Sequence, residues 1–83
     1  MFNEIHRLNE CSPLRALLAH YAALDRHLWH TRRADLDGAD VRELTRLHGE
    51  LLAYSWVELN LDEPAPRYRA APAGLRALKQ LSD

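Results

Sequence analysis

Apolar residues recur at helical spacing in the first part of the chain. The clearest stretch begins at Ser12 and Pro13, which suit an N-cap and a first helical position. The apolar residues that follow fall on one helical face: Leu14, Leu17, Leu18, Tyr21, Leu24 and Leu28. This spacing predicts a helix from residue 13 to about residue 31.

Two further helical patterns flank this stretch. Residues 2–9 carry three apolar residues at intervals of three and predict a short helical segment: Phe2, Ile5 and Leu8. Downstream, Asp37 or Asp40 is suited to cap a second helix, which the pattern predicts over residues 38–54. The apolar stripe of this helix is Val41, Leu44, Leu47 and Leu51.

After Ser55 the apolar period changes from helical to alternating, which is typical of strands. The pattern predicts a hairpin of residues 56–60 with residues 67–70, joined by a turn rich in proline. A last helix begins at Pro72, with a short stripe of Leu75, Leu78 and Leu81. The predicted fold is a single domain over residues 1–83, mainly α with one antiparallel β-hairpin.

Composition narrows the class of function. The chain has 83 residues, 47% apolar and 28% charged, which is typical of one globular domain. It has 11 Lys plus Arg against 12 Asp plus Glu, and this balance argues against binding nucleic acid by bulk charge alone. Lys79 is the one lysine among these cations. The arginines suit bidentate contacts with phosphate or carboxylate, although genomic base composition also produces chains poor in lysine.

Several classes of chemistry find no support in the sequence. The single cysteine, Cys11, excludes an intramolecular disulfide and a cysteine-rich zinc site. Neither Ser12 nor Ser55 has a convincing acid and base arrangement around it, so we expect a non-enzymatic protein without a cofactor. No apolar run reaches the length of a membrane span, and no signal pattern opens the chain, so we expect a cytoplasmic protein.

Two runs in the second half of the chain match the pattern of one protein family. The first run is Leu51, Leu52, Tyr54, Ser55, Trp56 and Val57. The second is Arg67, Tyr68, Arg69, Ala71, Pro72, Ala73 and Gly74. In these runs, and over residues 41–81 as a whole, the chain resembles the winged helix-turn-helix regulators of bacteria, although Ser55 stands where that family often has glycine and Ala71 where threonine is usual. The resemblance implies a winged-helix-like fold, DNA binding and a role in transcription regulation.

The first half departs from this family. The family has two helices joined by a tight turn before the wing, and the second enters the major groove. Here one long predicted helix is followed by a single further helix before the strands. The segment 2–9 is a candidate for the missing helix, although its connection differs from the usual turn.

Five residues are candidates for DNA contact, because cations along one surface bind phosphate and polar side chains read bases. They are Arg42, Thr45 and Arg46 on the second helix and Arg67 and Arg69 on the wing. The alternative is a solvated charged surface whose arginines pair with neighbouring carboxylates. Glu43 and Glu50 on the same helix, and Asp62 and Glu63 at the wing tip, favour that alternative.

Two further hypotheses concern the long first helix. His27 and His30 lie three apart, a spacing that can hold a metal, although exposed or half-buried structural histidines are the competing interpretation. The apolar face of the same helix predicts a homodimer, because the leucine content is large for so small a core. The predicted dimer residues are Tyr21, Leu24, Leu28 and Trp29.

Two functions of different classes remain open from the sequence. The first is a small DNA-binding regulator that contacts double-stranded DNA through the second helix and the wing. The second is an adaptor that binds another protein on the same scaffold without DNA. The wing pattern favours the first, and the near-neutral charge and acidic wing tip favour the second.

Overall fold

Residues 4–62 and 64–82, which the computed structural model describes, fold into four helices and a three-stranded antiparallel sheet. Phe2 of the predicted first segment lies outside the described residues. In chain order the elements are α1 (Glu4–Glu10), α2 (Ser12–Ala23), β1 (His30–Thr31), α3 (Val41–Ala53), β2 (Val57–Asn60), β3 (Arg67–Ala70) and α4 (Pro72–Ser82). The predicted order of helices, hairpin and last helix is confirmed.

The sheet has β3 at its centre. β2 and β3 form the predicted antiparallel hairpin, with Val57 opposite Ala70 and Leu59 opposite Tyr68. The prediction of a lone hairpin is wrong, because β1 pairs with the other edge of β3 and brings His30 opposite Tyr68. An isolated hairpin is marginal in water, so this third strand and the helices beneath it support the sheet.

The helix predicted over residues 13–31 is wrong at its C-terminal end. α2 ends at Ala23, and Leu24 is extended (φ −86°, ψ 162°). The Asp25 carboxylate then accepts the backbone N–H of His27 at 2.8 Å, a local contact that competes with helical hydrogen bonding. Pairing of β1 with β3 directs the following residues away from the helix axis.

The helix starts are defined by caps. Cys11 is the N-cap of α2 and makes no side-chain capping hydrogen bond, so the prediction of Ser12 as the cap is wrong by one residue. Pro13 lies in the first turn, as predicted. Asp40, the second of the two predicted caps, begins α3 and accepts the Glu43 N–H at 2.8 Å.

α3 ends in a Schellman motif. The Trp56 N–H donates to Leu51 O, and the Ser55 N–H donates to Leu52 O, each at 3.0 Å. Ser55 has φ of +60°, a left-handed conformation that favours glycine. This conformation gives a physical reason for the glycine that the resemblance led us to expect at this position.

The core forms where α2 packs against the other helices and the sheet. Eight large side chains are essentially inaccessible to solvent: Leu8, Leu14, Leu17, Leu18, Tyr21, Leu44, Leu47 and Leu51. Because α1, α2 and α3 all contribute to this cluster, the helical stripes predicted from the sequence meet in one core. Tyr68 of β3 joins the cluster from the sheet.

The start of α4 lies against the start of β2. The Ala71 N–H donates to Trp56 O at 2.9 Å. A Cβ added at Gly74 would lie 2.2 Å from the same carbonyl oxygen, which is far inside van der Waals contact. Glycine at this position is therefore required by the close approach of the two backbones.

Candidate nucleic-acid interface

α3 presents a polar face on the side opposite its buried stripe. The stripe consists of Leu44, Leu47, His48 and Leu51. Arg42, Thr45 and Arg46, three of the predicted DNA-binding residues, are exposed near the helix start. Because residues three and four apart are neighbours on a helix, the three side chains share one surface. Val41, 77% exposed, lies at the same end.

Arg32 joins this surface from the segment between β1 and α3. Its Nη2 donates to Thr45 Oγ1 at 3.2 Å, and Thr45 Oγ1 donates in turn to Val41 O at 3.1 Å. Arg32 was not among the candidates identified from the sequence, because the residue directly follows the helix predicted to about residue 31. Arg32 can approach α3 because α2 ends at Ala23. The apolar pattern predicted a helix that continues to about residue 31, so it did not indicate this approach.

The carboxylates of α3 are already paired or engaged. Arg46 forms a hydrogen-bonded ion pair with Glu43, and this contact raises the pKa of the Arg46 guanidinium. Arg7 of α1 donates two hydrogen bonds to Glu50, through Nε at 2.5 Å and Nη2 at 3.2 Å. This bidentate contact raises the pKa of Arg7 and ties α1 to α3.

Arg32 and Arg42 carry the unneutralised charge of this surface. Among the described residues, neither guanidinium lies within ion-pair distance of a carboxylate. Asp37 and Asp40 are the other carboxylates close to this end of the helix in the chain, and the Asp40 side chain accepts a backbone N–H as the cap of α3. The exposed start of α3 therefore presents two arginines without an ion pair beside the carboxylates of Asp37 and Asp40, and its net charge is close to balanced. We call Arg32, Arg42, Thr45 and Arg46 the α3 arginine face.

The two wing arginines lie on a different surface. Tyr68 and Ala70 of β3 are buried against the helices. Because side chains alternate along a strand, Arg67 and Arg69 face away from the core, on the outer side of the sheet. Arg67 is next to the hairpin turn, whereas Arg69 is further along β3. The five predicted DNA-binding residues are thus divided between α3 and the outer face of the sheet.

Arg69 is held by two neighbours on that outer face. Its guanidinium carbon lies 4.0 Å from the ring centroid of Trp29, a cation–π contact. Its Nε donates to Glu58 Oε1 at 3.3 Å across the hairpin. Arg69 is therefore orientated by contacts within the protein, whereas Arg67 makes no ion pair with another described residue.

The hairpin turn is acidic and partly apolar. Asp62 donates its backbone N–H to Asn60 Oδ1 at 2.8 Å, which shapes the start of the turn. Leu61 is 71% exposed beside it. Glu63, predicted to add a second negative charge, lies outside the described residues. A negative charge at this turn opposes close approach to a phosphate backbone.

A buried hydrogen-bond network joins α2, α3 and the segment after β1. The Tyr21 hydroxyl lies 2.8 Å from His48 Nε2, and His48 Nδ1 lies 2.9 Å from Leu44 O. Because a carbonyl only accepts, Nδ1 carries the proton and Nε2 accepts from Tyr21. The Tyr21 oxygen also accepts the Arg33 N–H at 2.9 Å, so the network fastens the segment after β1 to α2 and α3.

Two histidines of this region are held neutral. Burial lowers the pKa of His48, and the nearby Arg32 guanidinium lowers it further. Burial also lowers the pKa of His20, and Arg33 acts in the same direction. Arg33 Nη1 donates to His20 Nδ1 at 2.8 Å, so that nitrogen must be unprotonated.

The predicted dimer residues have different environments. Tyr21 is completely buried, so the prediction that it contacts a second copy is wrong for the folded protomer. Leu24 is half-buried against the core, and Trp29 is half-buried beneath Arg69. Leu28 is 57% exposed in the loop after α2. Self-association stays a prediction, with Leu28 as its most accessible residue.

The histidine pair that was weighed as a metal site, against an interpretation as structural histidines, makes contacts within the loop. His30 Nε2 donates to Asp25 O at 2.7 Å, and the His27 backbone N–H is taken by the Asp25 carboxylate. Within residues 4–62 and 64–82, no three His, Cys, Asp or Glu side chains are grouped to hold a metal. Cys11 is a free, half-buried thiol.

Comparison of the chain with protein-family models, with curated proteins and with solved structures gave no match. The described helices are all too short or too polar to cross a membrane. The function therefore has to be argued from the α3 arginine face and its surroundings.

Proposed function

We propose that the protein is a small, non-enzymatic DNA-binding protein of the winged-helix type that acts in transcription regulation. The order of α3, hairpin and α4, with β1 paired to the hairpin, is compatible with a winged-helix arrangement. In that arrangement α3 is the helix that enters the major groove. The sequence resemblance over residues 41–81 supports the same assignment.

The observation that carries the proposal is the contact between Arg32 and Thr45. It adds a cation from outside the helix to the exposed start of α3, next to the unpaired Arg42. The major groove is about 12 Å wide and admits a helix with its side chains. Arg42 and Arg46 are the side chains with the reach and planar donors for guanine edges or phosphate, and Thr45 adds a hydroxyl.

Arg67 is the wing residue that we assign to the DNA backbone. It is adjacent to the hairpin turn and makes no ion pair with another described residue, so it can turn toward phosphate. Arg46 is paired with Glu43 at an exposed site, where an ion pair contributes roughly 0–1 kcal/mol. Exchanging that carboxylate for a phosphate therefore costs little.

The segment between β1 and α3 gives a reason to expect weak binding to DNA. Residues 32–40 contain no helix, so the helix that crosses the DNA backbone in winged helix-turn-helix proteins is missing here. The contacts then number about four arginines, without the phosphate contacts of a second helix. We expect affinity that falls steeply with salt and weak selectivity between sequences.

A salt titration with random duplex DNA tests the proposal. Neutralisation of four phosphates gives a log–log slope of about −3 to −4, at ~0.9 per phosphate. Arg42→Ala combined with Arg46→Ala should make the slope shallower by about 2, whereas Arg76→Ala, an exposed arginine on α4, should leave it unchanged. Absence of binding at low salt by the folded wild-type protein would rule out the DNA function.

The second candidate is a protein-binding adaptor on the same scaffold. Its support is the hairpin turn, where the exposed Leu61 lies beside Asp62, because an apolar residue with an acidic neighbour suits a protein surface better than DNA. A photoreactive residue at position 61 should then form a defined protein adduct in the source cell. The same residue at position 76 should not.

We propose homodimerisation as a separate property of either candidate. Leu28→Glu changes an exposed residue, so it should leave the protomer folded while abolishing a dimer through this loop. Light scattering at micromolar concentration distinguishes a dimer from a particle of 9.6 kDa. A wild-type mass of 9.6 kDa at every concentration would contradict self-association.

A further inference from the structure

The outer face of the sheet has a cleft that the α3 arginine face does not use. It has a volume of about 350 Å³ and lies between the hairpin, the start of α4 and the loop after α2. Its charged and titratable lining consists of Arg26, His27, Glu58 and Arg69. Pro72 and Leu75 provide an apolar wall.

Arg69 is orientated in this cleft before any ligand arrives. Its guanidinium lies over the Trp29 ring, and the hydrogen bond to Glu58 uses only Nε. Within the part of the chain that the structure describes, neither terminal nitrogen has a hydrogen-bond partner. A planar arginine with two free parallel donors matches the two oxygens of a carboxylate or phosphate.

The loop that carries the second arginine is also fixed. The Asp25 carbonyl accepts from the Leu28 backbone N–H at 3.1 Å and from His30 Nε2 at 2.7 Å. These contacts hold the loop that brings Arg26 and His27 to the cleft. Among the residues that the structure describes, Glu58 is the single carboxylate lining the cleft, so the two arginines give it a positive balance.

We propose that this cleft binds a small organic anion with one carboxylate or phosphate on a planar apolar body. Arg69 accepts the anionic group through its terminal nitrogens, and Arg26 adds a second positive charge. The apolar body lies along Pro72 and Leu75. This site is on the opposite side of the sheet from α3, so it is independent of the proposed DNA contacts.

Amide and indole NMR resonances test the site with benzoate and phenyl phosphate as probes. We expect saturable shifts at the Trp29 indole N–H and the amides of Arg69 and Leu75, and none with benzamide, which has the same ring without the charge. Benzoate and phenyl phosphate together show whether the carboxylate or the phosphate is preferred.

Arg69→Ala should weaken binding about tenfold or more, the loss expected for a charge-assisted contact. Arg69→Lys keeps the charge but loses the planar donors, so it should also weaken binding, and Arg76→Ala should not. The amide spectrum verifies that each variant is folded. No saturable shift with either anion, equal binding of benzamide, or unchanged affinity in both Arg69 variants would overturn the proposal.

Discussion

The two long helices end in different ways. α3 ends through contacts between near neighbours in the sequence: the Schellman hydrogen bonds and the left-handed Ser55. α2 ends at Ala23 without such a motif; the loop just beyond it has the local contacts of Asp25, and the chain from His30 onward is held by partners further away in the sequence. These partners are the Tyr21 hydroxyl, which binds the Arg33 N–H, and β3, which pairs with β1. The end of α3 is specified by local contacts, whereas the end of α2 combines the local contacts of Asp25 with tertiary packing.

The difference bears directly on the candidate interface. Arg32 reaches α3 only because the segment after α2 is held in its tertiary position. The helix that presents Arg42 and Arg46 is defined by its own cap and its own terminus. The interface therefore combines a locally specified helix with one arginine whose position depends on distant contacts.

The largest effect should come from Gly74→Ala. The added Cβ would lie 2.2 Å from Trp56 O, and a backbone atom cannot move aside as a flexible side chain can. We expect a loss of about 3 kcal/mol in the free energy of unfolding, measured by denaturant titration. Gly49→Ala is the matched control: its Cβ has no neighbour within 4 Å, so it should stabilise α3 by about 0.5–1 kcal/mol. Equal stability of the two variants would contradict the close approach of α4.

Tyr21→Phe should remove the hydroxyl that holds the segment after β1 to α2 and α3. The variant leaves His48 Nε2 and the Arg33 N–H without their partner, at a cost of about 1–3 kcal/mol. Hydrogen exchange should show faster exchange at Arg33 while the Ser55 and Trp56 amides keep their relative protection. Uniform loss of protection at both helix ends would contradict the distinction between them.

Acid should weaken the same buried hydrogen-bond network. In the folded protein the pKa of His48 and of His20 is lowered. As the pH falls below about 6.5, the unfolded chain therefore binds protons before the folded protein does. Stability should therefore be highest above this value and fall as the pH is lowered below it, with a slope of at most about 1.4 kcal/mol per pH unit for the buried His48 and less for the half-buried His20. Denaturant titrations across this range check the sign, and a stability that rises toward pH 5 would contradict it.

The smallest effect should be a gain from Ser55→Gly. Glycine adopts the left-handed conformation without the penalty of a Cβ, which is about 1–2 kcal/mol per residue. Because glycine also loses more freedom on folding, we expect a net gain of about 1 kcal/mol. Gly38→Ala is the reverse test, since Gly38 has φ of +86° and should lose a similar amount. Destabilisation by Ser55→Gly would show that the serine side chain contributes more than the strain costs.

The sequence predicted the locally specified parts of this fold. A cap at Asp37 or Asp40, the hairpin of residues 56–60 with 67–70 and the helix from Pro72 could be predicted because each depends on residues close together in the chain. β1 could not, because His30 and Thr31 become a strand only through pairing with β3. The same limit applies to the interface. Helical spacing is enough to place Arg42, Thr45 and Arg46 on one surface. The position of Arg32, and the separation of Arg67 and Arg69 from α3, can be seen only in the tertiary structure.

The most direct test of the central claim is an NMR titration of the protein with a short duplex DNA at low salt. We predict shifts concentrated at the amides of residues 41–49 and at Arg32 and Arg67, which decline as salt is added. Arg69 should change little because Trp29 and Glu58 hold it further along β3, away from the hairpin turn, and the amides of α4 should change little because α4 is not part of the α3 arginine face. Shifts concentrated on α4 or on the outer face around Arg69, or no shifts at all, would contradict DNA binding through the α3 arginine face.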